Sequence, residues 1–378
     1  MEVYLDNAST TGVSQEVFEA MKPYFKSDFG NPSSLHNKGI NIRKVINTSK
    51  KKIASLLHCN HNEIFFTSCG TESINWALKG LAFSNTTKSE IITTNIEHHA
   101  TLHTVDFLEE LGFIIHYLDV DSKGFINLKQ LKSLVNDNTL SVSIILANNE
   151  IGTIQHLEEI STICEEARTY LHVDAVQSLT HMPIDLSTLN VDLLSISGHK
   201  FHAPKGIGLL YIKEGIHIQN LIHGGQQEAG CRSGTENVPY IVGITKALEV
   251  GIDKYKEYES RLNKYTTYFL NELDKTGIQY LLNGPKIGPD RLPGNLNLSF
   301  KDYDGSDITY YLNKANIYVS TGSACDSTSI EPSHVLKAIN VPLDYINASI
   351  RFSIGEYTTF EELEYSVKTL INILNELK

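Results

Sequence analysis

Asp192-Leu-Leu-Ser-Ile-Ser-Gly-His-Lys200 runs through an apolar strand into small polar residues and stops on a lysine. A lysine that follows directly on a buried strand cannot easily snorkel to water. Burial disfavours its charged form and lowers its pKa, which is what an amine needs in order to form a Schiff base. Ser197 and His199 beside it offer hydrogen-bond donors to an anion such as phosphate. Lysine is seldom buried, so an exposed strand-to-loop turn explains this stretch better when it is taken alone. The neighbouring strand ends decide otherwise.

Outward from this stretch, strand-like runs fall at 63–67, 91–94, 114–118, 142–147, 171–173, 193–197 and 208–212. Helical patterns at 73–83, 101–111 and 157–169 lie between several of them. Continuous apolar strands alternating with helices predict an α/β fold, with a mostly parallel seven-stranded sheet covered on both faces. Ligands in such sheets sit beyond the carboxyl ends of the strands. A long helical pattern follows at about 239–273. Beyond it, runs at 294–300, 317–319 and 349–353 read as strands, and 332–339 and 360–377 as helices. We expect a large α/β domain over 15–255, and a small α+β domain from 1–14 and 256–378 to which the strand at 3–5 returns.

The formal net charge of −12 and the lack of any basic run longer than Lys50-Lys51-Lys52 disfavour a nucleic-acid or anionic-membrane partner. No signal-peptide pattern opens the chain and no apolar run approaches a membrane span, so a cytoplasmic location is expected. Five scattered cysteines without a Cys-x-x-Cys pair predict neither a disulfide framework nor a metal site.

Each strand end carries a different polar group. Thr67-Ser-Cys-Gly70-Thr71-Glu72-Ser73 passes from strand to helix start, where free N–H groups bind phosphate and Gly70 permits close backbone approach. An ordinary cap fits that motif too. His98 follows the next strand, and Asn148-Asn149 ends another, where turn-forming amides fit as well. Asp174, in His172-Val-Asp174-Ala-Val-Gln177, closes an apolar run and needs a cation. A pyridinium nitrogen serves, and on this motif alone a salt bridge to arginine serves equally. Together these groups supply what pyridoxal 5'-phosphate requires: phosphate donors (Gly70, Thr71, Ser197, His199), an acid for the ring nitrogen (Asp174), an amide beside it (Gln177), a stacking ring (His98) and an amine (Lys200).

Cys325 sits in Val319-Ser-Thr-Gly-Ser-Ala-Cys325-Asp-Ser-Thr-Ser-Ile330, among small and polar residues that predict an exposed, mobile, reactive thiol. Arg351, in an alternating strand, is placed either to fork a substrate carboxylate or to face solvent.

These motifs resemble the cysteine desulfurases, in the class V aminotransferase group of type I pyridoxal phosphate enzymes. The resemblance rests on Tyr4-Leu-Asp-Asn-Ala-Ser-Thr, Phe29-Gly-Asn-Pro-Ser-Ser, Glu97-His98, Asn148-Asn-Glu-Ile-Gly152, Ser197-Gly-His-Lys200, Arg232-Ser-Gly-Thr-Glu-Asn237, Gly322-Ser-Ala-Cys325 and Arg351-Phe-Ser, in order along nearly the whole chain. The long polar stretch before Glu331-Pro-Ser-His334 is similar to the NifS/IscS-like branch rather than the short-loop SufS-like branch.

The resemblance implies that Lys200 holds the cofactor and moves the substrate α-proton. It implies that His98 stacks on the ring and assists reprotonation, and that Gln177 and Asn149 meet the 3-hydroxyl. Arg351, Asn31 and Asn149 would bind the substrate, and Thr235 would reach the phosphate of a second copy in a homodimer. Cys325 would take sulfur from L-cysteine as a persulfide, leaving alanine. It would pass the sulfur to an acceptor protein in iron–sulfur cluster assembly or tRNA thiolation. A selenocysteine lyase or another class V reaction is the alternative. Cys69, Ala203 and Gln226 depart from the family's usual glycines or small residues, and a scaffold-docking carboxyl-terminal extension is expected to be short or absent.

Overall fold

The computed structural model describes residues 1–85, 87–321 and 332–377. A period of two in the strands sets the architecture. In Gly208–Ile212, Leu209 and Tyr211 join one apolar cluster, while Leu210 and Ile212 join another. Both faces of the sheet therefore need cover. Trp76 and Leu78 of helix Gly70–Ser84 and Leu108 of His99–Glu110 cover one. Ile42, Ile46 and Ile53 of Asn37–Leu57 and Ile160 of Leu157–Glu166 cover the other.

The strand order is Ile64–Thr67, Gly208–Ile212, Leu193–Ser197, Tyr170–Asp174, Thr139–Ile145, Glu90–Thr94, Ile114–Leu118. Gly208–Ile212 is antiparallel to both its neighbours, and the other pairs are parallel. Gly208 pairs with Thr67 on one side and Ser197 on the other, so the turns leaving those two strands meet at one point. Asp174 ends the next strand, level with Ser195. Strand order alone thus gathers Gly70, Ser197, Lys200 and Asp174 at one edge of the sheet.

The strand expected at 142–147 is Thr139–Ile145, buried along its whole length. Its alternating Thr139, Ser141 and Ser143 hid the start from an apolar count. Helices Gln15–Lys26, Asn37–Leu57 and Gly305–Lys314 escaped the sequence reading. Asn37–Leu57 is rich in asparagine, lysine and β-branched residues, which are weak or polar helix signals. Its buried stripe of Ile42, Ile46, Ile53 and Leu57 is what fixes it against the sheet.

Helix Val238–Asp274 has 37 residues and spans about 55 Å at 1.5 Å per residue. Its first half gives Ile241, Ile244 and Leu248 to the large sheet's core. Its second half gives Leu262, Phe269 and Leu273 to a separate core with Leu298, Phe352 and Leu363. That second core lies under an antiparallel sheet ordered Ser320–Thr321, Ser349–Ser353, Asn295–Phe300, Tyr280–Leu282. Val3–Tyr4 pairs in parallel with Ile317–Tyr318, and Asp6 bridges to Ser353. Among the described residues no helix is long and apolar enough to cross a membrane.

Candidate active site

A cavity of about 310 Å³ opens at the strand ends. Gly70, Thr71, His98, Asn149, Asp174, Gln177, Ser197, His199, Lys200 and Arg351 all line it. Residues brought together from positions 70 to 351 of the chain thus share one space.

Lys200 closes a single 3-10 turn, Gly198–Lys200, directly after its strand. The turn lifts the side chain over the edge of the sheet, so the lysine is half-buried rather than fully buried as expected. Its Nζ donates to the carbonyls of Ala8 at 2.7 Å and Ser9 at 2.8 Å. Those carbonyls belong to the amino-terminal segment, which is held against the turn by Thr11 N–H and Thr11 Oγ1 donating to His199 O. Gln177 Nε2 also donates to Ala8 O, at 2.8 Å.

Asp174 is buried, and its Oδ1 accepts from Val176 N–H at 2.9 Å. Desolvation raises its carboxyl to about 6, against the opposing pull of that hydrogen bond and of the Lys200 charge. No ion pair joins it to an arginine among the described residues. His98 caps helix His99–Glu110, with Nδ1 accepting from Ala100 N–H at 3.0 Å. The remaining proton of the neutral ring therefore sits on Nε2. Burial first, then the charges of Lys200 and the neighbouring histidines, pushes His98 down to about 4. His199 is likewise pushed down to about 4 by burial and then by Lys200 and Lys205, and its Nδ1 lies 3.1 Å from Thr10 Oγ1.

Arg351 comes from the middle of an antiparallel strand of the second sheet and is buried. Its guanidinium donates to Asn149 O at 3.0 Å, Asp6 Oδ1 at 2.9 Å and Ser9 Oγ at 2.6 Å. Its Nε has no partner among the described residues. Asp6 thus already occupies part of the fork read as a carboxylate clamp.

Asn31 and Thr235 do not line the cavity of this chain; both are exposed, and Asn31 Oδ1 accepts from Ser33 N–H. Cys325 lies outside the described residues. Burial pushes the Cys59 and Cys164 thiols up to about 12 and also raises Cys231, so none of these three is a ready thiolate. The reading from sequence missed the backbone of Ala8 and Ser9. Its one available signal was three small residues, Ala8-Ser-Thr10, placed directly after a strand.

The residues present fit pyridoxal 5'-phosphate. Helix Gly70–Ser84 begins at the cavity with no side-chain cap at Cys69, which leaves its first N–H groups for an anion. A Cβ on Gly70 would stand 2.8 Å from Val176 Cγ2 and 3.2 Å from Ser197 Cβ, so only glycine keeps this cradle open. A buried carboxylate and an amine complete the donor set the cofactor needs.

The model of the family "Aminotransferase class-V" matches residues 3–365. A cysteine desulfurase IscS of Dictyoglomus turgidum is 49% identical over 378 residues, covering 100% of this chain and 95% of the relative. A solved NifS-like protein superposes with a TM-score of 0.94 at 41% identity, covering 100% of both chains. A solved structure of SspA in complex with cysteine gives a TM-score of 0.83 at 34% identity, covering 95% of this chain and 100% of that one. The chain belongs to the class-V aminotransferases and, within them, to the NifS/IscS-like cysteine desulfurases. These are pyridoxal phosphate-dependent enzymes of sulfur transfer.

Proposed function

We propose that this protein removes sulfur from L-cysteine, releases L-alanine and holds the sulfur as a persulfide on Cys325. A sulfur-acceptor protein, of iron–sulfur cluster assembly or tRNA thiolation, then collects it. The observation that carries the reading is the convergence of Lys200, Asp174, His98 and the uncapped start of Gly70–Ser84 on one cavity.

In this reading Gly70, Thr71, Ser197 and His199 would hold the phosphate, Asp174 would pair with the ring nitrogen, and Gln177 and Asn149 would serve the 3-hydroxyl. Bound pyridoxal phosphate supplies an electron-withdrawing ring that accepts negative charge from the substrate α-carbon. Lys200 takes and returns the α-proton at Nζ, and the carbonyls of Ala8 and Ser9 aim that amine. His98 would stack on the ring, and it presents its proton at Nε2 because Nδ1 accepts from Ala100 N–H. Arg351 and Asn31 bind the substrate carboxylate, with Arg351 exchanging part of its contact with Asp6. The Cys325 thiolate attacks the substrate sulfur. An S–S bond forms, the Cβ–S bond breaks, and its electron pair stays on Cβ, which is protonated to the methyl group of alanine.

Thr235 reaches the phosphate of a second copy, so the working unit is a homodimer. Phe29 and Leu35, 62% and 87% exposed on either side of Asn31, support a covering subunit there. The reading takes two domains, 15–255 and 1–14 with 256–378, and the two cores that divide helix Val238–Asp274 support it. A cytoplasmic location fits the net charge of −12 and the unpaired cysteine usage.

The test is incubation of the purified protein with L-cysteine, followed by alanine assay and mass-spectrometric mapping of persulfide. Persulfide is expected on Cys325, and Cys325→Ser is expected to lose it while still binding the cofactor. Substantial alanine and sulfide release from that variant refutes the assignment. Alanine formed from selenocysteine but not from cysteine favours the lyase instead.

A further inference from the structure

Glu97 is fully buried at the turn between strand Glu90–Thr94 and helix His99–Glu110. Nothing in the mechanism above uses it. Its Oε1 accepts from Thr94 Oγ1 at 2.8 Å, and its Oε2 has no hydrogen-bond partner among the described residues. No salt bridge reaches it among those residues. The chain around it is tied to the site on three sides: its own carbonyl lies 3.0 Å from His334 Nε2, Ile96 O accepts from Asn148 Nδ2, and His98 follows it.

A carboxylate in such a place would leave one anionic oxygen desolvated and unmatched. That costs far more than an unmatched neutral hydroxyl. The charged group acting on it is Asp174, at the end of the next strand but one, which repels a second negative charge; His98 follows it in the chain, and His334 Nε2 lies against its backbone carbonyl. Lys200 acts on this group of residues through Asp174 and His98.

We propose that Glu97 is held as the neutral carboxylic acid, with its proton on Oε2, so that Asp174 keeps the negative charge directed at the cofactor ring nitrogen. Glu97 is then a positioning residue: it carries a proton and so adds no second negative charge near Asp174. Burial raises the Glu97 carboxyl to about 8, against the lowering contributions of Ile145 and Thr94, and the Asp174 charge adds the smallest push in the same direction as burial. The proposal rests on the desulfurase reading only for the identity of the ring that Asp174 faces.

Infrared difference spectra of wild type against Glu97→Gln, recorded on the cofactor-free protein across pH 6 to 9, test the proton directly. At neutral pH the band lost in the variant is expected to be the carbonyl stretch of a protonated acid, giving way to carboxylate near the upper end of the range. Loss of a carboxylate band at neutral pH overturns the proposal, and does so whether or not the protein is a desulfurase. On the loaded enzyme, Glu97→Gln is expected to keep kcat within about threefold and to leave the pH dependence of the cofactor absorbance without the step that Glu97 ionisation gives wild type. A loss of kcat beyond about tenfold with the absorbance step retained also overturns it. Should the variant fold poorly, ¹³C carboxyl titration of the wild-type protein labelled at glutamate reads the same protonation.

Discussion

Asp174 and Arg351 face one cavity from two different sheets, and they are provided for in opposite ways. Asp174 ends a strand of the parallel sheet, accepts one backbone hydrogen bond and is raised by burial to about 6. Arg351 stands in mid-strand of the antiparallel sheet and already donates to Asp6, Ser9 and Asn149. In the proposed site the first would gain a stronger partner from a ring cation. The second, if it binds substrate as proposed, would trade an existing partner for its ligand. A parallel sheet can leave polar groups waiting at its strand ends because no neighbour in the ladder competes for them. A cation in the middle of a buried strand has no such freedom and must be matched before any ligand comes.

The contrast can be broken most sharply at the waiting end. Lys200→Ala is expected to lower kcat by at least about 10⁴-fold and to abolish cofactor labelling by borohydride, read by mass spectrometry. Asp174→Asn should cost about 10²- to 10⁴-fold in kcat, with a changed absorbance of the bound cofactor, since it removes the charge without the volume. At the matched end, Arg351→Ala should act mainly on KM, raising it about 10- to 100-fold, from the loss of one or two charge-assisted hydrogen bonds. Asp6→Asn, which frees the guanidinium, should instead leave KM unchanged or lower it. If both variants raise KM equally, the pair acts as a single structural unit and no exchange of partners occurs.

A separate prediction concerns stability. Glu356 lies between His181 Nε2 at 3.1 Å and His202 Nε2 at 2.9 Å, which ties the second sheet to the Lys200 turn. Burial opposes its charge, but the two histidines outweigh this and hold Glu356 below the usual 4.5, while Glu356 holds His202 above its usual 6.5. The depressed acid stabilises the fold above about 4.5 and loses that contribution as pH falls through its folded value. The raised histidine stabilises below about 6.5 and loses its contribution as pH rises through its folded value. Unfolding free energies from denaturant titration should therefore favour wild type over Glu356→Gln most strongly between those limits, by about 3 kcal/mol; the advantage shrinks as pH rises above them and is lost as pH falls well below them.

What the sequence could show follows the same division. Gly70, Asp174, Ser197 and Lys200 each close an apolar run, so hydrophobic pattern and residue chemistry mark them together. The Ala8 and Ser9 carbonyls carry no side-chain signature, and neither residue suggests that it receives a lysine. His202 and Glu356 meet across 154 positions, with no local pattern to announce it. Glu97 was visible as half of Glu97-His98, but only its complete burial and its unmatched oxygen distinguish it from an ordinary surface acid.

Residues 6–9 touch both Lys200 and Arg351, and the contacts from Asp6 and Ser9 to Arg351 span 345 and 342 positions. At roughly 5–20 residues per second of synthesis, this segment waits on the order of 20–70 s at the ribosome before its last partner exists. The earliest-made part of the catalytic centre is therefore among the last to dock. A nascent chain stalled before the Ser349–Ser353 strand should carry the lysine and the 6–9 segment, but not the arginine that holds that segment from the other side.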